Sequence, residues 1–522
     1  MTLGNYLSIN RIKLESKKRI RWVSLFLYLF GITVLIGLGV YNQPYYPISW
    51  MDEGFVLQGA MNLVQFGEYA MLSSEGFRVL DQPLVANGPG IVLPVAAAFS
   101  LFGAGYLQAR LTTVIYMLVA AIAFFILTRR LFGTLAAFLS TLTLLAIPRE
   151  GFLFFGRMAL GNVPALTYLY VGYLAWLNFT EYKRSRYAIA AGLLFGLSII
   201  TKAQSFILII AFLIVALLDH FYYRLIGLKK FAAIISISIA CFALWYLAQF
   251  VIVGKENFSQ HLEAIQSSSR VTVFVFSPER IPRNLWYLIY SGAPIFIASS
   301  LVYTTWLCRK RDLTSLRLLP LVNYVVVWFG WYAIASIGWH RYAFDAYAVG
   351  ALFSGKFLLD TARYLSRNER TLDPVGRFIK VAAVVLIVTI LCGLTWNSIG
   401  QVKQILSRPD TTLQRFATYL EKNIGPHAVI ESWEWSIDPL VRLTFHHPTN
   451  DWVDKMTLML TFGVMPEATY DFSDYQPDYL IDGPFSKGAQ LYASKLSQGC
   501  CKLIFSEPPY DLYQVNEQPT SH

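Results

Sequence analysis

Between Trp22 and Trp396 the chain repeats one pattern: an apolar run, almost free of charge, closed by Lys and Arg. Eleven such runs occur, at 22–41, 108–128, 134–148, 163–179, 187–201, 203–219, 231–253, 286–307, 318–338, 344–359 and 381–396. A helix of about 20 apolar residues crosses a hydrocarbon core of about 30 Å. Inside that core no water satisfies the backbone, so such runs can fold only as helices. Composition agrees. Of the 522 residues, 55% are hydrophobic and 14% charged, against about 25% charged in a soluble domain. A cytosolic enzyme, a disordered regulator and a fibrous protein are excluded, and the chain reads as an α-helical polytopic membrane protein.

The basic residues orient it. Arg11, Lys13, Lys17, Lys18, Arg19 and Arg21 precede the first run. Arg129-Arg130, Lys183 to Arg186, Arg224 to Lys230, Arg309 to Arg317 and Arg363 to Lys380 then fall in alternate connections. Lys and Arg collect on the cytoplasmic side, so the expectation is about 11 transmembrane helices, a cytoplasmic N-terminus and a C-terminus outside. The same distribution accounts for the formal charge of +11 without a nucleic-acid partner. The first run is too long for a cleavable signal peptide and shows no small-residue cleavage site. A bacterial inner (plasma) membrane is the expected location. Ile91 to Tyr106 is apolar but would reverse the charge pattern if it crossed. It is read as an interfacial or re-entrant helix, with a twelfth span as the alternative.

The pattern changes after Trp396, where Pro, Asp, Glu and Tyr replace the apolar runs. The division is a membrane domain at 1–396, with a large outer loop at 41–107, and a small extracytoplasmic α/β domain at 397–522. Five cysteines are too few for a disulfide scaffold. Cys241, Cys308 and Cys392 act as small hydrophobes, and adjacent Cys500 and Cys501 are expected to stay unbonded.

The outer loop concentrates the candidate chemistry. From Asp52 onward, Phe55, Ala60, Leu63, Val64 and Tyr69 recur near a helical period, which puts Asp52 and Glu53 at a helix N-terminus. Both carboxylates could simply favour the helix dipole there. An Asp-Glu pair after the first membrane helix, then Gln82-Pro83-Leu84 and Asn87 to Gly90, resembles the GT-C superfamily of membrane glycosyltransferases. The branch it looks most like holds the protein O-mannosyltransferases and lipid A aminoarabinose transferases. Leu101 to Gly103, Ala109 to Leu111, Arg129 to Gly133 and Gly156 to Leu166 fit the same pattern.

The resemblance implies an inverting transfer of a sugar from a polyprenyl-phosphate donor to a lipid, glycan or protein acceptor, on the outer face, among membrane lipids. Such a transfer needs a carboxylate to take the acceptor hydroxyl proton and cations at the phosphate leaving group. Asp52 is the expected base, with Glu53 assisting. Lys202, Arg341, His340 and Arg157 are the expected phosphate ligands. Lys202 could instead be snorkelling at a helix end, and the Trp339 to Tyr342 stretch could be an interfacial belt. Related proteins carry an acid where this chain has Asn162; Glu150 is the substitute within reach in sequence. No cofactor is expected and no metal is assigned. Asp345, an acid at membrane depth, is expected to pair with Arg341. The charged stretch 254–285 reads as a solvated flexible face. Trp433, Trp435, His446, His447 and Trp452 could stack on carbohydrate or fill a core. A lipid-linked glycan flippase or a non-catalytic membrane subunit are the alternatives.

Overall fold

The computed structural model describes residues 28–148, 150–290, 293–366 and 374–516. Each apolar run becomes helix. In chain order these are Tyr28–Val40, Tyr106–Phe132, Thr134–Leu145, Asn162–Tyr182, Ser185–Thr201, Ile207–Leu218, Leu228–Val253, Ala293–Leu307, Leu313–Ala335, Phe344–Leu365 and Pro374–Leu406. Among the described residues, five segments are long and apolar enough to cross a membrane by themselves: Tyr106–Phe132, Ala203–Tyr223, Leu228–Val253, Leu313–Ala335 and Val375–Leu406. The basic stretch at 11–21, on which the N-terminal orientation rests, lies outside the described residues, as does Arg149.

Lipid tails offer no hydrophobic drive between helices, so close packing and polar contacts must hold the bundle. Both are present. Trp176 packs edge-on to Phe212 at 5.4 Å and against Phe231 at 5.1 Å. Between Thr134–Leu145 and Phe344–Leu365, Ser140 Oγ donates to the Leu352 carbonyl at 2.9 Å and accepts from Gly355 N at 2.9 Å. A Cβ on Gly355 would overlap the Ala136 carbonyl, so only glycine lets these helices approach this closely.

The outer loop folds as helix Met51–Phe66, a hairpin pairing Ala70–Ser73 with Gly76–Val79, and helices Gln82–Ala86 and Pro89–Phe102. The last of these has 14 residues, about 21 Å at 1.5 Å per residue. That is short for a span, as is the 12-residue helix Thr134–Leu145. Beyond residue 396 the final membrane helix continues to Leu406. Helix Thr412–Asn423 and a five-stranded sheet follow. The strand order is Thr444–His446, Val429–Ser432, Tyr479–Asp482, Tyr510–Val515 and Cys501–Glu507; the first three are parallel and the last two pair antiparallel.

The outer loop and the C-terminal region do not pack as separate units. Phe55, Val56, Leu57, Leu80, Leu84 and Ile91 share one apolar core with Trp433, Trp435, Met456, Tyr470 and Leu480. Helix Met51–Phe66 sits against the Trp435 backbone so closely that a Cβ on Gly54 would overlap the Trp435 carbonyl. Gln58 Nε2 donates to Asp438 Oδ2 at 2.6 Å, and Tyr106 Oη to the Ser436 carbonyl at 2.7 Å.

Trp433, Trp435, His446 and His447 are at most 4% exposed, which decides between the two readings: they fill a core. Two expectations change. The 254–285 stretch is anchored, not free: it forms helix Phe258–Thr272, and Trp331 Nε1 then donates to the Val273 carbonyl at 2.9 Å. Cys500 and Cys501 are bonded to each other; their neighbouring Cα atoms, 3.8 Å apart, let the two Sγ atoms meet at the start of the last hairpin.

Candidate active site

Asp52 lies in the first turn of helix Met51–Phe66, after Trp50 in extended backbone. The helix end places the carboxylate at the mouth of the membrane domain. There it forms an ion pair with Arg341, which stands on the short turn His340–Ala343 between two membrane helices. The Arg341 guanidinium lies over the rings of Trp339 at 4.4 Å and Trp50 at 5.3 Å. A flat, weakly hydrated cation between indoles is held in place yet keeps its N–H edge available. The two side chains are 26% and 21% exposed. A substrate can reach both.

Lys202 ends helix Ser185–Thr201 in extended backbone. Its position depends on the Asn87 to Gly90 loop. A Cβ on Gly88 would overlap the Ile200 carbonyl and one on Gly90 the Thr201 hydroxyl, so the loop clamps the helix end one residue before Lys202. Lys202 Nζ donates to Asn162 Oδ1 at 3.4 Å, and its charged neighbours are Arg341, Asp345 and Asp52. Glu150 acts on Arg341 from the preceding loop. Asp52, Arg341, Lys202, Asn162 and Glu150 are therefore brought together from five separate points of the chain. His340 flanks them, its ring 5.0 Å from that of Tyr287.

Glu53 and Arg157 go elsewhere. Glu53 is fully buried and forks onto Arg110, with Nε to Oε1 at 2.8 Å and Nη2 to Oε2 at 2.7 Å. Ala159 N donates to the same Oε1 at 2.9 Å. Successive residues at a helix start point about 100° apart, so Asp52 faces the opening and Glu53 the interior. Arg157 is also fully buried. Its guanidinium donates to the carbonyls of Leu38, Gly39, Tyr41 and Tyr46, gathering the end of helix Tyr28–Val40 and the loop before Asp52. These bonds turn it away from a phosphate. Arg110 was not among the expected site residues. An arginine inside an apolar run was its signal, because a buried cation needs an anion.

Asp345 is 2% exposed and does not take Arg341, whose ion pair is with Asp52. A cavity of about 380 Å³ is lined by Trp50, Tyr45, Ser49, Tyr106, Phe485 and Tyr510 among others. Among the described residues no group of three His, Cys, Asp or Glu side chains is arranged to hold a metal ion. The arrangement offers a reachable carboxylate and two cations beside it. It can accept a proton and stabilise a developing anion in one place.

Residues 86–247 match the model of a family described as dolichyl-phosphate-mannose-protein mannosyltransferase. A sequence comparison with curated proteins finds no match. The crystal structure of ArnT from Cupriavidus metallidurans bound to undecaprenyl phosphate is similar over 95% of this chain and 99% of that one, with TM-score 0.60 and 14% identity. The archaeal oligosaccharyltransferase AglB from Archaeoglobus fulgidus, in complex with an inhibitory peptide and a dolichol-phosphate, is similar over 96% of this chain and 75% of that one, with TM-score 0.55 and 11% identity. Identities this low speak to the fold, and the sequence match lies within the region that builds the Lys202 side of the site. By fold, the chain is an α-helical multi-pass membrane protein of the GT-C type.

Proposed function

We propose that the chain is a glycosyltransferase that moves a sugar from a polyprenyl-phosphate carrier to an acceptor hydroxyl at the outer face of the membrane, with inversion. The observation that carries this reading is the convergence of Asp52, Arg341 and Lys202 at the helix ends. Asp52 takes the proton as the acceptor oxygen bonds to the anomeric carbon. The bond from that carbon to the phosphate oxygen breaks, and the departing charge settles between Arg341 and Lys202. One displacement gives inversion. Glu53 acts through Arg110 to fix the helix that presents Asp52.

An arriving phosphate competes with Asp52 for Arg341, so donor binding loosens the grip on the carboxylate that must accept a proton. The lipid phosphates named with ArnT and AglB support a lipid-phosphate donor here, and the cavity beside Trp50 has the size of a small-molecule site. The N-terminus is assigned to the cytoplasm and residues 397–522 to the exterior, in a bacterial plasma membrane.

The test uses purified full-length chain. Undecaprenyl phosphate should bind, and Lys202→Met or Arg341→Met should each weaken it at least about tenfold, the loss of one charge-assisted contact. Asp52→Asn should still bind the lipid but no longer move radiolabelled sugar from lipid-linked donors extracted from the native membrane. Full transfer by Asp52→Asn sinks the assignment. Lipid crossing sealed proteoliposomes without any covalent product would favour a flippase.

A further inference from the structure

Beneath Lys202 lies a second polar cluster that the proposed reaction does not use. Among the described residues, the buried Asp345 Oδ1 and Tyr170 Oη have no hydrogen-bond partner, and the buried Tyr324 Oη and Ser205 Oγ have only each other. They come from helices Phe344–Leu365, Asn162–Tyr182 and Leu313–Ala335 and from the turn Ala203–Phe206. Asp345 acts electrostatically on both Tyr170 and Tyr324, and Ser205 is the near neighbour of Tyr324. The charged group that Asp345 faces is Lys202. A buried carboxylate with an unpaired oxygen is costly and calls for an explanation.

Charge balance supplies one. The groups around Lys202 are one further cation, Arg341, and two acids, Asp52 and Asp345. These two positive and two negative charges cancel, and Glu150, which acts on Arg341, tips the wider site to net negative. A lipid phosphate adds at least one negative charge to a region poorly reached by water, where an uncompensated charge is costly. Taking up a proton on a carboxylate removes the excess. Asp52 is bound directly to Arg341. Among the described residues Asp345 has no ion pair of its own, and its buried Oδ1 has no partner.

We infer that Asp345 is the charge-balancing residue of the phosphate site: it serves as counter-ion to Lys202 while the site is empty and takes one proton from solvent when a lipid phosphate binds. The inference rests on the reading of Lys202 as a phosphate ligand and deepens it. Asp345 itself touches no substrate. It acts through Lys202.

The experiment is calorimetric titration of the purified full chain with undecaprenyl phosphate, between pH 7.5 and 8.5, in buffers of different ionisation enthalpy. The wild type should take up about one more proton per bound lipid than Asp345→Asn. Its affinity should fall about tenfold per pH unit relative to the variant, the slope of one linked proton. At the alkaline end Asp345→Asn should bind more tightly than wild type. Equal proton uptake and equal pH slopes in the two proteins overturn the inference. The wild-type buffer dependence is read without any variant, so absence of uptake refutes it even if Asp345→Asn fails to fold. Lys202→Met separates the two levels: if it leaves binding unchanged, the phosphate reading of Lys202 itself fails. If it weakens binding while Asp345→Asn behaves as wild type, only the charge-balancing role fails.

Discussion

Asp52 and Glu53 are adjacent in sequence and identical in charge, yet their substitutions should separate cleanly. Glu53 and Arg110 are both fully buried and joined by two hydrogen bonds of 2.8 and 2.7 Å. Removing one partner of such a pair costs about 3–5 kcal/mol, because the other charge stays behind unpaired. Glu53→Gln keeps an oxygen for Ala159 N but sets an amide N–H₂ against Arg110 Nη2, so the lower end of that range applies. Asp52 and Arg341 are a quarter and a fifth exposed, and an ion pair open to water contributes about 0–1 kcal/mol. In detergent, Glu53→Gln should lower the unfolding midpoint by roughly 3–8 °C, from the scaling of midpoint with stability in chains larger than about 250 residues. Asp52→Asn should shift it by about 1 °C or less. Transfer should show the reverse order, with Asp52→Asn inactive and the surviving folded Glu53→Gln active. Adding Arg110→Met to Glu53→Gln should recover part of the loss, since no charge is then stranded. A Glu53→Gln protein that melts with wild type, or an Asp52→Asn protein that melts below it, refutes the division of roles.

Gly90→Ala should weaken undecaprenyl phosphate binding several-fold, because its Cβ would displace Thr201 and with it Lys202. Gly393→Ala, where a Cβ meets nothing within 4 Å, should bind as wild type. Arg157→Met strands four carbonyls and should cost about 3 kcal/mol of stability. If it instead abolished lipid binding in a protein that melts normally, Arg157 would be a phosphate ligand after all. Burial pushes the Glu434 carboxyl up to about 7, with the Phe485 and Ser486 amides pulling it back only in part. A raised folded value favours the protonated form, so its contribution is full below the unfolded value near 4.5 and is lost as pH rises through about 7. Between pH 4.5 and 8, wild type should lose about 3 kcal/mol more stability than Glu434→Gln. Parallel unfolding curves across that range would refute it.

Hydropathy made the membrane helices legible, since an apolar run at membrane depth has one solution. The reach of the last helix to Leu406 was not legible, because its final turns are polar enough to pass for the start of a domain. Asp52, Arg341 and Lys202 stood out as charges at run ends. Glu53 could not be told from Asp52, because the two differ only in the direction a helix turn gives them. Arg157 looked like a phosphate ligand because sequence shows a cation but not which carbonyls it meets. Trp435 and His447 showed aromatic character without showing that helix Met51–Phe66 covers them.

That cover has a consequence for how the molecule is made. Gln58 and Asp438 are 380 positions apart, and Gly54 rests on Trp435. The helix that presents Asp52 is thus synthesised early but cannot settle until the tail of the chain arrives. Contacts closed over so long a loop form slowly. The apolar flank of Phe55 to Leu57 must wait without its partner, and exchanging the tail for that of a relative would need the early helix to travel with it.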